Sequence, residues 1–214
     1  MSTALVCGVG PAQAADLAIS VVDARGKPVE HAAVLVRLAA PSVAPASAAP
    51  TTQIVQHFQS FAPNVLPVAV GTTVQFPNLD RMRHHVYSFS PGNTFEIHLY
   101  SGEEIPQVRF DKPGVVALGC NIHDWMQGYI YVTDAPYFGA TDTSGAVTLA
   151  GLPPGDYRVS VWHPQLQTEI EVQRTTLGTA AVPVAVRLDS NVEPLMQERP
   201  DDDPLLVRLH ASHQ

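Results

Sequence analysis

The sequence predicts an all-β protein, in which a Greek-key β-sandwich is inserted into a second, smaller β-sandwich. Two observations predict this fold class. Short runs rich in Val, Thr and Tyr are separated by turn residues, with 19 Pro and 14 Gly among 214 residues. Segments with the 3.6-residue period of an amphipathic helix are scarce by comparison. The length is enough for one large or two small β domains.

The first structured segment covers residues 16–40. Its apolar pattern predicts two strands between Asp16 and Leu38, joined by a turn over residues 23–28. Gly26 gives this turn its backbone freedom, and Pro28 fixes φ. Residues 39–50 consist entirely of Ala, Pro, Ser and Val, which is a linker composition. We therefore expect a domain boundary there.

Residues 53–134 are predicted to form a domain of their own. The apolar residues on either side of Gly71 predict two strands within residues 53–78. Pro113 and Gly114 lie in a predicted turn at residues 111–114. Further strands are expected at residues 86–89, 95–108, 115–119 and 129–132. Many short strands with frequent turns are typical of a Greek-key sandwich.

Residues 135–190 return to the pattern of the first segment. The run from Thr141 to Tyr157 resembles the second part of a carboxypeptidase-regulatory or transthyretin-like β-sandwich, and Val21 to Val34 resembles its first part. About a hundred residues separate the two parts, which is roughly the length of a whole domain. We therefore expect residues 53–134 to be inserted into a loop of this sandwich. Residues 191–214 are expected to form a tail without chemistry.

Composition and the N-terminal sequence limit the function. The formal net charge is −8 without a Lys/Arg cluster, which argues against a nucleic-acid partner. Apolar runs are shorter than the ~18–20 residues of a transmembrane segment. Residues 1–15 resemble a truncated signal peptide with a cleavage site near Ala14 or Ala15, so we expect export to the periplasm. Cleavage there would leave Cys120 as the single cysteine of the mature chain.

A potential ligand cluster lies near the end of the predicted inserted domain. Cys120, His123 and Met126 recur at every third residue, on what we predict to be a short loop between two strands. Two imidazoles, a thiolate and a weak axial thioether are the ligands of a blue-copper centre. The second imidazole would come from a distant strand, and either His84 or His85 meets that requirement.

These residues carry a resemblance to the cupredoxins. Residues 53–134 resemble a plastocyanin or amicyanin, with a short ligand loop like that of amicyanin, and the two-part chain is similar to cupredoxins of the methylamine-utilisation type. The resemblance implies one type 1 copper bound by His84, Cys120, His123 and Met126, with His85 in a position where the family often has Asn or Thr. The matching motifs are Cys120-x-x-His123-x-x-Met126, Gly71-x-x-Val74-x-Phe76-x-Asn78-x-Asp80, His84-x-Val86-x-Ser88 and Phe110-x-x-Pro113-Gly114.

The resemblance also implies a function. The protein would carry single electrons between periplasmic redox partners, such as a cytochrome c or a dehydrogenase, with His123 as the surface electron port and Trp125 as a docking residue. The site would be kept poor in water by four apolar or aromatic residues, which are Val86, Phe76, Ile122 and Tyr129. His85 would brace the ligand loop, titrate or be exposed.

Other functions remain as alternatives. The chain could store or deliver copper, or it could be a structural sandwich without redox turnover. We expect no catalytic residues and no enzyme activity: His123 is too close to Cys120 to serve as the base of a hydrolase, and the His-x-His motifs of multicopper enzymes do not occur. Six histidines are expected to be surface or satisfied polar residues, namely His31, His57, His98, His163, His210 and His213.

Overall fold

A computed structural model describes residues 14–40, 51–179 and 183–195, and within them the regular elements are strands, which confirms the all-β prediction. No helix in these ranges has the length and apolarity needed to cross a membrane. The predicted signal peptide lies almost wholly outside the described residues. The strands are β1 (Ala15–Val22), β2 (Ala33–Leu38), β3 (Thr51–Gln53), β4 (Val55–His57), β5 (Ser60–Ala62), β6 (Val65–Ala69), β7 (Thr72–Gln75), β8 (His84–Ser88), β9 (Phe95–Tyr100), β10 (Gln107–Phe110), β11 (Gly114–Cys120), β12 (His123–Thr133), β13 (Tyr137–Ala140), β14 (Ala146–Leu152), β15 (Gly155–Trp162), β16 (Ile170–Leu177) and β17 (Val184–Arg187).

Strands from both ends of the chain share two sheets. One sheet has the order β14-β1-β17, and the other has the order β13-β2-β15-β16. The strict alternation of buried and exposed residues along β1 is the period-2 pattern of a strand with one face in a core. Leu17, Ile19, Val34, Val159 and Val186 are among the side chains that meet in this core.

The chain leaves and re-enters this sandwich at neighbouring positions. β2 and β13 pair antiparallel, with Val36 opposite Tyr137 and Ala33 opposite Ala140, although ten other strands lie between them in sequence. Thr141 adds a side-chain link, because its hydroxyl accepts a hydrogen bond from the Ala32 N–H (2.8 Å) and donates one to the Val29 carbonyl (2.7 Å). An inserted domain requires such adjacent ends; the domain bounds themselves stay predictions.

The intervening residues form a second packing unit with a core of its own. A five-stranded sheet of order β6-β12-β11-β8-β9 packs with a three-stranded sheet of order β10-β7-β3 around buried aromatic and aliphatic side chains. Two sequence predictions were wrong here. Residues 53–78 hold parts of five short strands instead of two, and residues 95–108 are split between β9 and β10, which belong to different sheets. The chain leaves β9 before residue 106, because the Pro106 carbonyl accepts a hydrogen bond from the Phe76 N–H beside β7.

An aromatic and ionic seam joins the two packing units. Trp162 of β15 packs against Tyr131 of β12, with ring centroids 5.2 Å apart. The Tyr131 hydroxyl donates to Glu169 (2.7 Å), and Glu169 pairs with Arg37 of β2 at 2.6 Å. Arg37 also pairs with Asp134 at 3.0 Å. β12 also carries His123 and Met126 of the predicted ligand cluster. The seam therefore holds one face of the strand that bears these two residues.

His163 is a buried histidine beside this seam. His163 is 1% exposed, and its Nδ1 accepts a hydrogen bond from the Gln165 N–H at 3.2 Å. Burial, with a smaller contribution from His31, lowers the pKa of His163 from 6.5 to about 4. The folded protein therefore holds this ring neutral across the range in which a free histidine gains its proton.

We predict that His163 makes the fold sensitive to mild acid. His163 gains its proton near pH 6.5 in the unfolded chain but only near pH 4 in the folded chain. Protonation therefore favours the unfolded chain, and the free energy of unfolding falls as the pH decreases from 6.5 towards 4. Between pH 7.5 and 5.0 the loss is about 2 kcal/mol. Urea unfolding at both pH values should show a drop in the wild type that exceeds the drop in His163→Gln by this amount. His57→Gln, which replaces an exposed histidine, should behave like the wild type, and an equal drop in all three proteins would contradict the prediction.

Candidate metal centre

A tight β-hairpin carries Cys120 and His123. β11 and β12 pair antiparallel from Gly114 opposite Val132 to Gly119 opposite Gln127, and the register then shifts so that Cys120 lies opposite His123. Only Asn121 and Ile122 remain between the two strands, so the predicted ligand loop is shorter than expected and is largely strand. The Asn121 N–H donates to the His85 carbonyl at 3.2 Å, which ties this turn to β8.

Strand alternation turns Cys120 inward. Val116, Leu118 and Cys120 are buried on one face of β11, while the residues between them point to the other face. Gly119 is required in this geometry, because a Cβ atom there would lie 2.7 Å from the ring of Tyr87. The small residue lets β8 and β11 approach closely beside the thiol.

The register of β8 separates His84 from His85. Cys120 pairs with Val86, and Gly119 pairs with Tyr87, so the buried face of β8 contains His84, Val86 and Ser88. His84 is 0% exposed. The structure thus brings His84, and not His85, together with Cys120. That these residues bind a metal stays a prediction at this point.

Three potential donor atoms converge, and we call His84, Cys120 and His123 the thiolate cluster. The Cys120 Sγ lies 3.7 Å from the His84 Nδ1 and 3.6 Å from the His123 Nδ1. The two imidazole rings have centroids 4.9 Å apart, and all three donor atoms lie within 4.8 Å of one another. Two bonds of about 2.0–2.3 Å that meet at one ion at about 115° span such a nitrogen–sulfur separation.

The electrostatics of the thiolate cluster favour an ionised sulfur. Burial by itself would raise the pKa of the Cys120 thiol, but contacts with His84 and with the backbone of His85 and Ile122 outweigh it, so that the pKa lies below its usual range. Burial opposes the charged form of His84 as well, yet Cys120 and Asp80 raise the pKa of this imidazole. Burial and the neighbouring His84 lower the pKa of His123. A thiolate and a neutral imidazole are the forms that bind a metal, so Cys120 and His123 are in the binding form, whereas His84 has to release its proton to bind.

Asp80 holds His84 in place from behind. Its Oδ2 lies 2.8 Å from the His84 Nε2, which leaves the Nδ1 directed at Cys120. The same carboxylate accepts hydrogen bonds from the Phe58 N–H (2.7 Å) and the Gln59 N–H (2.9 Å). A carboxylate on the far nitrogen is a common support of a ligating histidine, since it fixes both the ring orientation and the tautomer. The sequence motif included Asp80, but spacing alone gave it no role.

Met126 lies in the core that surrounds the thiolate cluster. Met126 is 0% exposed and packs in the same core as Cys120, Val86 and Phe76. The prediction that Ile122 and Tyr129 shield the site from water was wrong. Ile122 is 47% exposed because it lies in the turn, and Tyr129 packs against Trp162 at the seam, with centroids 5.9 Å apart.

The predicted port and docking residues lie together at the hairpin. His123 and Trp125 are both half-buried, with ring centroids 5.2 Å apart. His123 therefore has one side towards the Cys120 sulfur and another towards solvent. This places a partly accessible imidazole next to an otherwise buried donor set.

The donor set suits a thiophilic transition metal. Two imidazole nitrogens and one thiolate fit copper or zinc, and hard cations such as Mg²⁺ and Ca²⁺ prefer oxygen ligands. Fold and site together define an all-β protein with a buried His/Cys/His candidate metal centre.

Comparisons with known proteins find solved structures that are similar to part of the chain, at low TM-scores. No protein-family model matches the sequence, and no curated protein matches it. Among solved structures, the novel purple cupredoxin from Nitrosopumilus maritimus is 23% identical over 38% of this chain and 99% of its own, with a TM-score of 0.35. The oxidised form of an amicyanin variant is 22% identical over 39% of this chain and 82% of its own, with a TM-score of 0.37.

A third similar structure is a much larger protein. A copper-containing nitrite reductase from Thermus scotoductus is 28% identical over 53% of this chain but only 28% of its own, with a TM-score of 0.37. Likenesses with TM-scores this low add no weight to a functional assignment.

We predict that Asp80 controls metal affinity through His84. Asp80→Ala removes the carboxylate that orients the imidazole, and loss of such a partner typically weakens metal binding about 10–100-fold. Competition for Cu²⁺ with a chromophoric chelator measures this affinity. Asp124→Ala removes an exposed carboxylate of the same hairpin and should leave the affinity unchanged. If both variants bind like the wild type, Asp80 does not position the ligand.

Proposed function

We propose that the chain is a type 1 copper protein that carries single electrons between redox partners outside the cytoplasm. The observation that carries this proposal is the convergence of the two Nδ1 atoms on the Cys120 Sγ, at 3.6 and 3.7 Å, inside an apolar core. Soft sulfur favours Cu(I), and imidazole serves both oxidation states. A bound copper ion would supply reversible one-electron chemistry.

The chain's own residues would keep the donors fixed during electron transfer. Cys120 and His84 lie on paired strands, the Asn121 N–H anchors the turn to β8, and Asp80 locks the His84 ring. Donors that do not move when the charge changes keep the reorganisation small. Met126, buried in the same core, is proposed as the weak axial ligand that tunes the potential.

His123 is proposed as the point at which electrons enter and leave. Its ring combines contact with the Cys120 sulfur and partial exposure. The neighbouring Ile122 is 47% exposed, and Trp125 packs beside the His123 ring. An apolar surround lets a partner protein exclude water close to the imidazole. The partner class that suits this surface is a small redox protein or domain, such as a cytochrome c or a dehydrogenase.

Export to the periplasm and the absence of enzyme activity belong to the same proposal. The apolar and small-residue sequence of residues 1–15 motivates export. Copper storage or delivery is the second candidate function. The partial exposure of His123 beside the thiolate favours copper delivery, because another protein could reach the metal at this histidine. Redox cycling separates the two candidates.

The spectrum of the copper-loaded protein tests the proposal. One equivalent of Cu²⁺ added to the full-length protein should produce an intense blue thiolate-to-copper absorption, because Cys120 places its sulfur beside the two imidazoles. Cyclic voltammetry should then show a reversible one-electron couple. Cys120→Ser should lose the band while keeping the circular dichroism of an all-β protein.

The other results assign the function differently. A colourless protein that binds Cu(I) but is not oxidised reversibly would support copper delivery. A protein that binds neither oxidation state would leave the chain with a structural role.

We predict that His84, and not His85, is needed for the blue absorption. His84 is buried on the same face as Cys120, whereas His85 lies on the opposite face of β8. His84→Gly should therefore abolish the band. Free imidazole can occupy the vacated position, so its addition should restore the band. His85→Gly should retain the band without imidazole. The reverse pattern would mean that the register of β8 is shifted by one residue.

A further inference from the structure

A second group of potential metal ligands lies on the outer face of the five-stranded sheet. It consists of His85 on β8 with Glu96 and His98 on β9, and we call it the histidine–glutamate cluster. β9 is the edge strand of this sheet. From the sequence alone, His98 is expected to be a surface or satisfied polar residue and His85 has three possible roles, because their proximity depends on how the two strands pair.

The register of β8 and β9 explains why the three side chains meet. Tyr87 pairs with Glu96 and Val86 with Ile97, whereas His84 pairs with Tyr100, so the register shifts between these pairs. The irregularity gives β9 one additional residue opposite His85. Glu96 and His98 are two residues apart and therefore share a face of β9, and cross-strand neighbours in a sheet have Cβ atoms about 4.5–5.5 Å apart.

The donor atoms are close enough to share one ion. The Glu96 Oε1 lies 2.9 Å from the His85 Nε2 and 3.8 Å from the His98 Nδ1. The two imidazole rings have centroids 5.5 Å apart at an interplanar angle of 67°. One donor atom from each of the three residues lies within 4.8 Å of the others.

The His85 Nε2 supplies an independent indication of a ligand. This atom is buried and has no hydrogen-bond partner among the described residues, even though the Glu96 Oε1 is 2.9 Å away. The carboxylate oxygen therefore lies off the line of the ring N–H, where distance alone does not make a hydrogen bond. A buried polar nitrogen without a hydrogen bond is costly. A metal ion held between this nitrogen and the carboxylate removes that cost.

The surroundings suit an ion that enters from solvent. The side chain of His85 is 12% exposed, that of Glu96 is 55% exposed and that of His98 is 85% exposed. Two of the three ligands are thus free to close on an ion, and the third is preset by packing against Tyr87, whose ring lies edge-on at 6.3 Å. The formal net charge of −8 also favours a cation.

We propose that His85, Glu96 and His98 form a second metal site, which binds one divalent ion with Zn²⁺ as the best fit. Two imidazole nitrogens and one carboxylate oxygen match the ligand preference of zinc, and three protein ligands leave one coordination position open. The site contains no sulfur, so it differs in chemistry from the thiolate cluster. It lies on the opposite face of β8, and its existence does not depend on copper binding at Cys120.

Zinc titration of the full-length chain tests the proposal. Calorimetry is carried out with Cys120→Ala, which removes the thiolate from the other cluster, so a failure of the copper proposal cannot affect the result. We expect one Zn²⁺ per chain. Adding His98→Ala should weaken binding by at least about tenfold, since a lost ligand costs no less than a lost supporting contact. Glu96→Gln should have a similar effect, because it removes the anionic oxygen.

A matched control and the opposing result are available. His57→Ala in the same background removes an exposed histidine outside both clusters and should leave zinc affinity unchanged. His98 and Glu96 are largely exposed, so their replacement should not disturb the core, and circular dichroism verifies this. The proposal would be overturned if neither His98→Ala nor Glu96→Gln changes the zinc affinity, or if the protein does not bind zinc at all.

Discussion

The pairing of β8 with β11 is the constraint on which the candidate centre depends. Only two residue pairs define it, Gly119 with Tyr87 and Cys120 with Val86. Because side chains alternate along a strand, this register turns His84 and Cys120 into the same core and turns His85 out of it. A shift by one residue would exchange His84 with His85 and would break both clusters at once. Gly119 makes the close approach possible, since any larger residue would meet the Tyr87 ring.

The thiolate cluster is costly for the fold unless its charges are paired. His84 and Cys120 are fully or almost fully buried, and burial disfavours the imidazolium and the thiolate alike. Their mutual contact and Asp80 offset that cost, but a buried ion pair is weak support for stability. A metal bound only by the folded chain would stabilise it in proportion to the logarithm of free metal concentration over the dissociation constant. Affinity for the ion and stability of the hairpin are therefore linked.

Much of the fold and of the thiolate cluster could be predicted from the sequence. The turn residues and alternating patterns gave the all-β class, and the spacing of Cys120, His123 and an upstream histidine pointed to residues that the structure brings together. The errors lie where long-range pairing decides. Ile122 is apolar, yet the hairpin is so tight that this residue has no core to enter. The histidine–glutamate cluster was missed because the pairing of β8 with β9 places His98 beside His85, and no pattern within either strand encodes that pairing.

X-ray absorption at the copper edge of the loaded full-length protein tests the central claim most directly, because it counts the donor atoms around the ion without relying on colour or mutation. The account predicts one short copper–sulfur bond from Cys120 together with two nitrogen donors at imidazole distance, from His84 and His123. A first coordination shell made only of nitrogen and oxygen would contradict it, since copper would then be bound outside the thiolate cluster.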